Sequence, residues 1–339
     1  MTIKASGSSL LFGEIVNEFG LPSGRNLGAY RVSQNVGTLT NLPLDAGVPQ
    51  SGTIKFSDFY SKKLNIVVNY TAIPDLTDRS STVQLNARSA YNSNNVPIEV
   101  IGGFRTKPPS PDNIKVFINY NTRIGSSKNG REYTAIRTGT WGTNTVVQME
   151  LGPSAQIYGA GGDGGTARAN GGRRGTSAIG IDYPVTVINR GYIQSGGGGG
   201  GAGGESSFTS RFGPWYSRRR RASTNAGSGG SGGAGYPSGV GGGGSGGSNL
   251  GCSGGAGNAG SLTTGGPAQG ACIAGGKGGD GNQDGSNGSS GGGGGTAGYA
   301  IIIYNDGTGT TITNVSGTVD GINYNGSING TIQYNTTPL

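Results

Sequence analysis

Apolar and polar positions alternate in short bursts along this chain, and the bursts change character three times. In the first stretch, Ser9-Leu10-Leu11-Phe12-Gly13-Glu14-Ile15 reads against Thr53-Ile54-Lys55-Phe56-Ser57-Asp58-Phe59 at an offset of 44 residues. Each copy follows a turn signal, Ser6-Gly7 or Ser51-Gly52, and each sets out an aromatic, a spacer, an acid and an apolar residue. Ile15 to Phe19 suits one helical turn, and Leu21 to Gln50, rich in Gly, Pro and Asn, reads as loop. A short repeated module with so few apolar residues needs a partner to cover its apolar face. Residues 1–62 are therefore expected to form an attachment module, the alternative being an N-terminal arm packed on its own chain.

From residue 63 the pattern becomes that of strands. Leu64 to Tyr70, Thr82 to Asn86, Ile98 to Ile101, Ile114 to Asn119, Tyr133 to Arg137 and Val146 to Leu151 are apolar and β-branched, as half-buried strands require. Asn92 to Asn95, Pro108 to Asp112 and Lys128 to Gly130 supply turn chemistry between them. Strands at this spacing predict an antiparallel, sandwich-like domain over 63–158. Strand character returns at 299–339, where Asn305-Asp306-Gly307 and Asn325-Gly326 are hairpin turn signals. Between these stretches lies the segment 159–298. It contains Tyr183-Pro184-Val185-Thr186-Val187-Ile188-Asn189, a clear period-two strand, and a transition that occurs twice. Ala155-Gln156-Ile157-Tyr158 leads into Gly159-Ala160-Gly161-Gly162, and Gly191-Tyr192-Ile193-Gln194 leads into Gly196 to Gly201. A strand feeding a glycine run at a spacing of about 35 residues is repeat behaviour.

Composition explains what fills the remainder. Glycine supplies 74 of the 339 residues, roughly three times the usual share of about 7%. Residues 151–300 hold 54 of them. Apolar residues are 32% and charged residues 12%, too few for a conventional single-core enzyme. Collagen needs glycine at every third position with abundant proline, and this spacing is irregular. A flexible linker gives no role to Trp215, to the alternating strand or to the repeated transition. A silk-like fibre would repeat more regularly. Extended three-residue-per-turn helices of the polyproline II type have no internal hydrogen bonds. Without side chains they can approach closely enough to bond to one another and satisfy the backbone. The glycine region is therefore expected to be polyglycine II-like. The expected class is mainly β, with the attachment module at 1–62, the sandwich at 63–158, the glycine-rich domain at 159–298 and C-terminal hairpins at 299–339.

Charge and chemistry narrow the function. The net charge is +8, and half of it sits in 205–226, where Arg211, Arg218, Arg219, Arg220 and Arg221 face one acid, Glu205. Such a patch is too short for a nucleic-acid coat, and no nucleic-acid partner is expected. Phe208, Phe212, Trp215 and Tyr216 lie among the arginines. Aromatics stack on sugars and apolar rims, arginines grip phosphates and carboxylates in bidentate fashion, and Trp, Tyr and Arg dominate interface hot spots. A phosphorylated lipopolysaccharide or an acidic glycan suits the mixture. The alternative is that the aromatics pack on the β domain while the arginines face water. Tyr236-Pro237-Ser238, Asn249-Leu250, Leu262-Thr263-Thr264, Pro267 to Ile273 and Asn282 to Asn287 are further loops.

There is no histidine, which removes histidine-dependent triads and histidine metal sites. Asp280, Asp284 and Asn287 lack EF-hand spacing, and no metal or cofactor is expected. No two carboxylates beyond residue 150 make the pair that glycoside hydrolysis needs, so no enzymatic activity is expected. Whether Cys252 and Cys272 pair depends on a Cα separation that sequence spacing does not fix. The start lacks a basic stretch followed by a clean apolar one, and no apolar run approaches 18 residues. Synthesis in a cytoplasm, without signal peptide or transmembrane helix, is the expectation.

The run from Thr138-Gly139-Thr140-Trp141-Gly142 through Ile157 to Gly165, and then Val187-Ile188-Asn189-Arg190-Gly191-Tyr192-Ile193 into Gly196 to Gly201, resembles glycine-rich tail fibre and tail-tip proteins of tailed bacteriophages. The paired modules at 6–15 and 51–60 are similar to N-terminal modules of such virion proteins. Together the resemblance spans about two thirds of the chain. It implies a non-enzymatic virion adhesin, made in the host cytoplasm and located in the tail, whose polyglycine II bundle presents loops to a bacterial surface glycan or outer-membrane receptor. Phe208, Arg211, Phe212, Trp215, Tyr216, Arg218 to Arg221 and Tyr236 are the expected receptor contacts. Phe12, Ile15, Phe56, Phe59 and Tyr60 are the expected attachment residues toward other phage tail proteins. Similar assemblies are homo-oligomers, trimers among them, while tip adhesins are also found as monomers. The alternative function is a purely structural spacer or connector. One departure is the β region of about 95 residues before the glycine runs.

Overall fold

The β-branched runs do become strands, and most of them lie side by side in the same direction. The computed structural model describes residues 3–19, 26–31, 34–36, 39–42, 47–49, 51–63, 65–69, 85–86, 98–101, 115–120, 123–126, 134–166, 171–203, 206–209, 222–225, 228, 230–236, 238–239, 241–242, 256–268, 275–289, 292–304, 309–314, 316–319 and 322–334. The fold is mainly β with few helices.

Three sheets run through the molecule. The first orders Thr311–Asn314, Val185–Asn189, Val146–Leu151, Lys115–Tyr120, Asn65–Asn69 and Ile98–Ile101; only the last pair is antiparallel. The second orders Ser327–Asn329, Tyr192–Gln194, Gln156–Tyr158 and Arg123–Gly125, all parallel. The third orders Ile332–Tyr334, Ile301–Ile303, Ser177–Ile181, Thr134–Arg137 and Leu85–Asn86, also parallel. Along the chain the strands visit first, second and third sheet in turn. Four successive coils result, at 115–137, 146–181, 185–303 and 311–334.

This corrects the expected antiparallel sandwich. The two-residue connection at 190–191 is short enough for a hairpin turn, yet it is a corner that carries the chain onward from the first sheet to the second. The pairing also crosses the boundaries expected at 158 and 298, because Ile179 lies between Ile136 and Ile301. Among the expected C-terminal hairpins, Asn325-Gly326 leads into a strand of the second sheet, and Asp306 lies outside the described residues. The antiparallel hairpin that does form there joins Ser316–Val319 to Ile322–Asn325.

Each coil places the same kind of side chain at the same inward position. Ile124, Ile157 and Ile193 are fully buried in register on the second sheet, and Ile136, Ile179 and Ile301 on the third. Val147 with Val185, and Met149 with Val187, continue the core on the first. Stacked identical side chains bury apolar area on both flanks, at about 25 cal/mol per Å² removed from water. At the last coil the ladder meets solvent, and Ile332 is 39% exposed. One corner is polar and fully paired: Asn189 is buried, accepts from the Gly191 N–H at 3.1 Å and donates to the Ser327 carbonyl at 3.2 Å.

The N-terminal repeat is a structural pair. Phe12–Phe19 is an α-helix and Phe56–Phe59 a 3-10 turn. The acid of each copy accepts the backbone N–H ahead of its own aromatic: Leu11 N–H to Glu14 at 2.8 Å and Lys55 N–H to Asp58 at 2.7 Å. Bonding to that N–H, and then to Lys4, holds the Glu14 carboxyl below its ordinary range. Gly7 (φ +103°) and Gly52 (φ +75°) make the turns ahead of the copies, a conformation that glycine adopts without strain. Ile15, Phe19, Tyr30 and Phe59 form the core, with the Tyr30 and Phe59 rings edge to face at 5.7 Å. Burial pushes the Tyr30 hydroxyl up to about 12.

Candidate functional site

The glycine region is inserted into the coils at one corner, between the second sheet and the third. Gln156–Tyr158 runs directly into 159–166, and the chain returns through 171–176 to Ser177–Ile181. One coil on, Tyr192–Gln194 runs into 195–203, and the return is deferred until 292–300 leads into Ile301–Ile303.

Segment 195–203 shows how glycine is used. The N–H groups of Gly196 and Gly199 donate to 171–176, those of Gly197, Gly200 and Gly203 to 228–236, and those of Gly198 and Gly201 to 283–288. Its carbonyls accept in the same rotation: residues 197 and 200 from 159–166 (continuing the bond that Gln194, at the end of the strand, accepts from Gly159), residues 198 and 201 from 275–281, and residues 196, 199 and 202 from 292–298. Bond directions recur every third residue, and the segment is enclosed by six others. Segment 228–236 is enclosed in the same way by 159–166, 195–203, 239–242, 257–261, 264–268 and 275–281.

The described segments form three rows. The first holds 171–176, 159–166 and 239–242; the second 292–298, 195–203, 228–236 and 257–261; the third 283–288, 275–281 and 264–268. Side chains are excluded from the middle. A Cβ on Gly198 would stand 1.8 Å from the Gly295 carbonyl oxygen, and one on Gly199 2.0 Å from that of Asp163. At the margins side chains reappear and substitute for missing carbonyls. Asp284 accepts the Ala297 N–H at 2.7 Å, Asn287 the Gly294 N–H at 2.8 Å, and Asp280 the Gly265 N–H at 2.9 Å. The bond from Gly265, and then Lys277 at 3.2 Å, holds Asp280 below the usual carboxylate range.

The two ends of this lattice differ. At the end facing the second sheet the chain turns tightly, at 236–239, 261–264 and 281–283. At the far end it passes from 166 to 171, 203 to 228, 242 to 257, 268 to 275 and 288 to 292. The longest of these excursions rises on an antiparallel hairpin in which Ser206–Thr209 pairs with Ala222–Asn225. Phe208 belongs to that hairpin. Arg211, Phe212, Trp215, Tyr216 and Arg218 to Arg221 lie within 210–221, outside the described residues, as do Cys252 and Cys272.

Tyr236 is separated from this group and lies at the end facing the sheet. Its N–H donates to the Gly159 carbonyl at 3.0 Å. Its ring lies 6.3 Å from that of Tyr158 and under the Arg123 guanidinium at 5.7 Å. Sequence reasoning missed the residues next to it. Gln194 donates to the Leu262 carbonyl at 2.9 Å, Asn282 bonds to Asn329, and Arg123 donates to Gln156 at 2.9 Å. Gln156 and Gln194 stand in the two strand-to-glycine transitions and Asn282 opens a candidate loop, but nothing in the sequence marks them as contacts between the lattice and the sheet.

The attachment residues also separate. Ile15 and Phe59 are fully buried in the core of their own module, and Tyr60 donates its hydroxyl to the Ser8 carbonyl. Phe12 is half-buried against Tyr30. Phe56, 42% exposed, and Leu11, 65% exposed, are the apolar side chains presented to solvent.

Comparison with known proteins decides the family. A family model described as phage tail fibre adhesin Gp38 matches residues 80–333, which contain nearly all of the coils and the whole glycine lattice. The chain belongs to this adhesin family. The adhesin is thus a virion tail component, of a family that is structural rather than enzymatic. It is similar to a chain in the crystal structure of the gp37-gp38 adhesin tip complex of the bacteriophage S16 long tail fibre. Identity is 20%, the match covers 91% of this chain and 95% of that one, and the TM-score is 0.45. No curated protein matches. Among the described residues of the adhesin, no acidic or cysteine cluster could hold a metal ion, and no helix is long and apolar enough to cross a membrane.

Proposed function

We propose that this adhesin binds a host-cell surface receptor through the loops at the far end of its glycine lattice, and that the lattice is a bundle of polyglycine II helices. The three-residue recurrence of bond directions supports the second statement, since a helix of three residues per turn presents each lateral direction once per turn. The observation that carries the first is the asymmetry of the two ends. The turns facing the coils are tight, whereas five longer excursions gather at the end remote from them. The stretch richest in Arg and aromatics, 210–221, follows in sequence on the first strand of the hairpin Ser206–Thr209 with Ala222–Asn225 and lies outside the described residues.

Phe208, Arg211, Phe212, Trp215, Tyr216 and Arg218 to Arg221 are the receptor contacts in this reading, and the ligand is a phosphorylated or acidic surface glycan. Bidentate arginine contacts would hold its anionic groups, and ring stacking its sugar faces. Tyr236 is left out of the set because it lies at the other end. Residues 1–62 serve as the attachment to another tail protein, through Leu11, Phe12 and Phe56 rather than through the buried Ile15 and Phe59.

Adsorption of the purified full-length chain to host cells tests the reading. Saturable binding is expected, with loss in a variant carrying Trp215→Ala and Arg218 to Arg221 changed to serine, while the melting temperature is kept. Absence of binding by the folded wild-type chain would remove receptor binding and leave the spacer role.

A further inference from the structure

The three sheet-facing turns of the lattice land on one row of the second sheet. Gly125, Tyr158, Gln194 and Asn329 occupy the same register position on its four strands, last before the chain leaves the sheet. The turn at 236–239 rests on the first two. The Tyr236 ring packs on Tyr158, and a Cβ on Gly125 would stand 2.2 Å from the Tyr236 carbonyl oxygen. The turn at 261–264 is held by Gln194, which donates to the Leu262 carbonyl at 2.9 Å. The turn at 281–283 is held by Asn329 through Asn282, and the Cβ position of Gly281 falls against the Gln194 amide.

The rows of the lattice follow the same ladder. Strand Gln156–Tyr158 continues into the first row and strand Tyr192–Gln194 into the second. The third row ends on the strand that carries Asn329. Neighbouring strands lie about 4.8 Å apart. Adjacent glycine segments are joined by N–H to carbonyl bonds of about 2.9 Å, as neighbouring strands are, so two of the rows extend the hydrogen-bonded ladder of the two strands they continue.

We infer that this row of four residues is a platform that sets the register of the lattice. On that view Tyr158, Gln194 and Asn329 are positioning residues that fix where the far-end loops stand. This goes beyond the receptor reading and does not depend on it. Ordered glycine loses more chain entropy than any other residue, and in the enclosed runs such as Gly196 to Gly201 no side chain distinguishes one neighbour from another; the bonds of Asp280, Asp284 and Asn287 act only at the margin. Sliding by one turn would preserve most lateral bonds. Contacts at the fixed end are what make one register unique.

Hydrogen exchange of the full chain, read region by region, tests this without any receptor. The first variant is Gln194→Met with Asn329→Ala, which keeps volume at 194 and removes both contacts to the turns together with the bonds these two side chains make to the Tyr192 hydroxyl. The second is Asn282→Gly, which removes the side-chain contact from the lattice side and suits the left-handed backbone at this position, φ +66°, where alanine would be strained. Thr263→Ala, exposed in the same group of turns, is the control. Exchange in 236–239, 261–264, 281–283 and 195–203 is expected to accelerate about tenfold or more in both variants, while strand Ser177–Ile181 changes less than about twofold. The control should match wild type. Unchanged exchange in the three turns would overturn the inference. Equal acceleration in Ser177–Ile181 in the Asn282→Gly variant would overturn it as well, because these residues would then belong to a shared core. If the first variant does not fold, the second decides alone. Adsorption measured on the same proteins separates the two proposals: a lattice that loosens while adsorption was already absent in wild type sinks the receptor reading only.

Discussion

Ile179 sits in its strand with Ile136 on one side and Ile301 on the other, and all three are shut off from water. Gly198, in the segment that continues the neighbouring strand, has no side chain and donates its N–H to Gln283 at 3.0 Å. The coils and the lattice grow from the same strands, share the same rungs and are held by opposite means. In the coils, backbone pairing is supplemented by apolar burial, which tolerates some variation in shape. In the enclosed glycine runs of the lattice there is nothing but backbone. An amide hydrogen bond contributes only about 0.5–1.5 kcal/mol net, and ordering glycine costs more entropy than ordering other residues. Such a region needs every bond made, which a three-fold repeat with six neighbours achieves. It also needs a partner that starts it off, which the strands provide.

The largest effect expected from this contrast comes from the smallest side-chain change. Gly198→Ala puts a methyl group where the Gly295 carbonyl oxygen stands, at 1.8 Å. Backbone cannot move aside without opening a row. The bundle should lose amide exchange protection throughout 195–203 while the strands keep theirs. Gly13→Ala is the matched control, since nothing lies within 4 Å of its Cβ position. A Gly198→Ala protein with wild-type protection would break the comparison. Next in size is Ile179→Ala on the coil side. Removing a fully buried isoleucine between two others should cost about 2–5 kcal/mol, seen as a lowered melting temperature. Both regions should fall together, because the lattice is built on the coils. Melting of the lattice ahead of the coils in Gly198→Ala, against joint melting in Ile179→Ala, gives the dependence a direction.

How much of this was readable depends on the scale of the signal. The alternation in Val185-Thr186-Val187-Ile188-Asn189 is legible because burial follows it residue by residue, with Val185, Val187 and Asn189 inside and Thr186 exposed. The twice-seen passage from strand to glycine run is legible too. Ile157 and Ile193 are register partners on adjacent strands, so the repeat marks one rung of the coil stack. The stack itself was not legible. Its period is broken by insertions of very different length, 159–176 in one coil and 195–300 in the next, so no fixed spacing survives to be counted. The antiparallel expectation came from the spacing of the strands and the turn chemistry between them, and short strands at that spacing read the same whether the chain doubles back or, as at 190–191, turns a corner onto the next sheet. At the candidate site, the Arg and aromatic cluster declares itself by composition. Gln194 and Asn329 do not, because a polar residue at a strand end is ordinary until the turns that rest on it are known.

A smaller effect is expected at the lattice margin, where side chains take over the work of neighbouring carbonyls. Asp284 and Asn287 are three residues apart, one turn of the lattice, and accept the N–H groups of Ala297 and Gly294, also three apart in the opposite direction. Asp284→Ala exposes one N–H to water, which can replace part of the lost bond, so about 0.5–1 kcal/mol is expected. The check is faster exchange confined to 292–298. Loss of protection in the enclosed segment 195–203 would show that the margin matters as much as the interior and would weaken the contrast.

The last and finest test concerns the coils alone. Glu150, 1% exposed in strand Val146–Leu151, pairs with Arg190 at the corner after the next strand. Burial pushes its carboxyl up to about 7, and Arg190 pulls it back only in part. A carboxyl raised in the folded state holds a proton that the unfolded chain releases near its ordinary value of about 4.3. Its contribution is therefore fully present at pH below that value and is lost as pH rises through the folded value. Wild type should lose melting temperature between about pH 4.5 and 7 and level off above. Glu150→Gln, which cannot ionise, should lack that slope while keeping the corner filled. No equivalent slope is expected from the enclosed lattice segment, where Ser195, Gly196 to Gly201, Ala202 and Gly203 carry no titratable side chain. Parallel pH profiles for the two proteins would mean that Arg190 holds Glu150 ionised, and that the coils, like the lattice, stand without a buried proton.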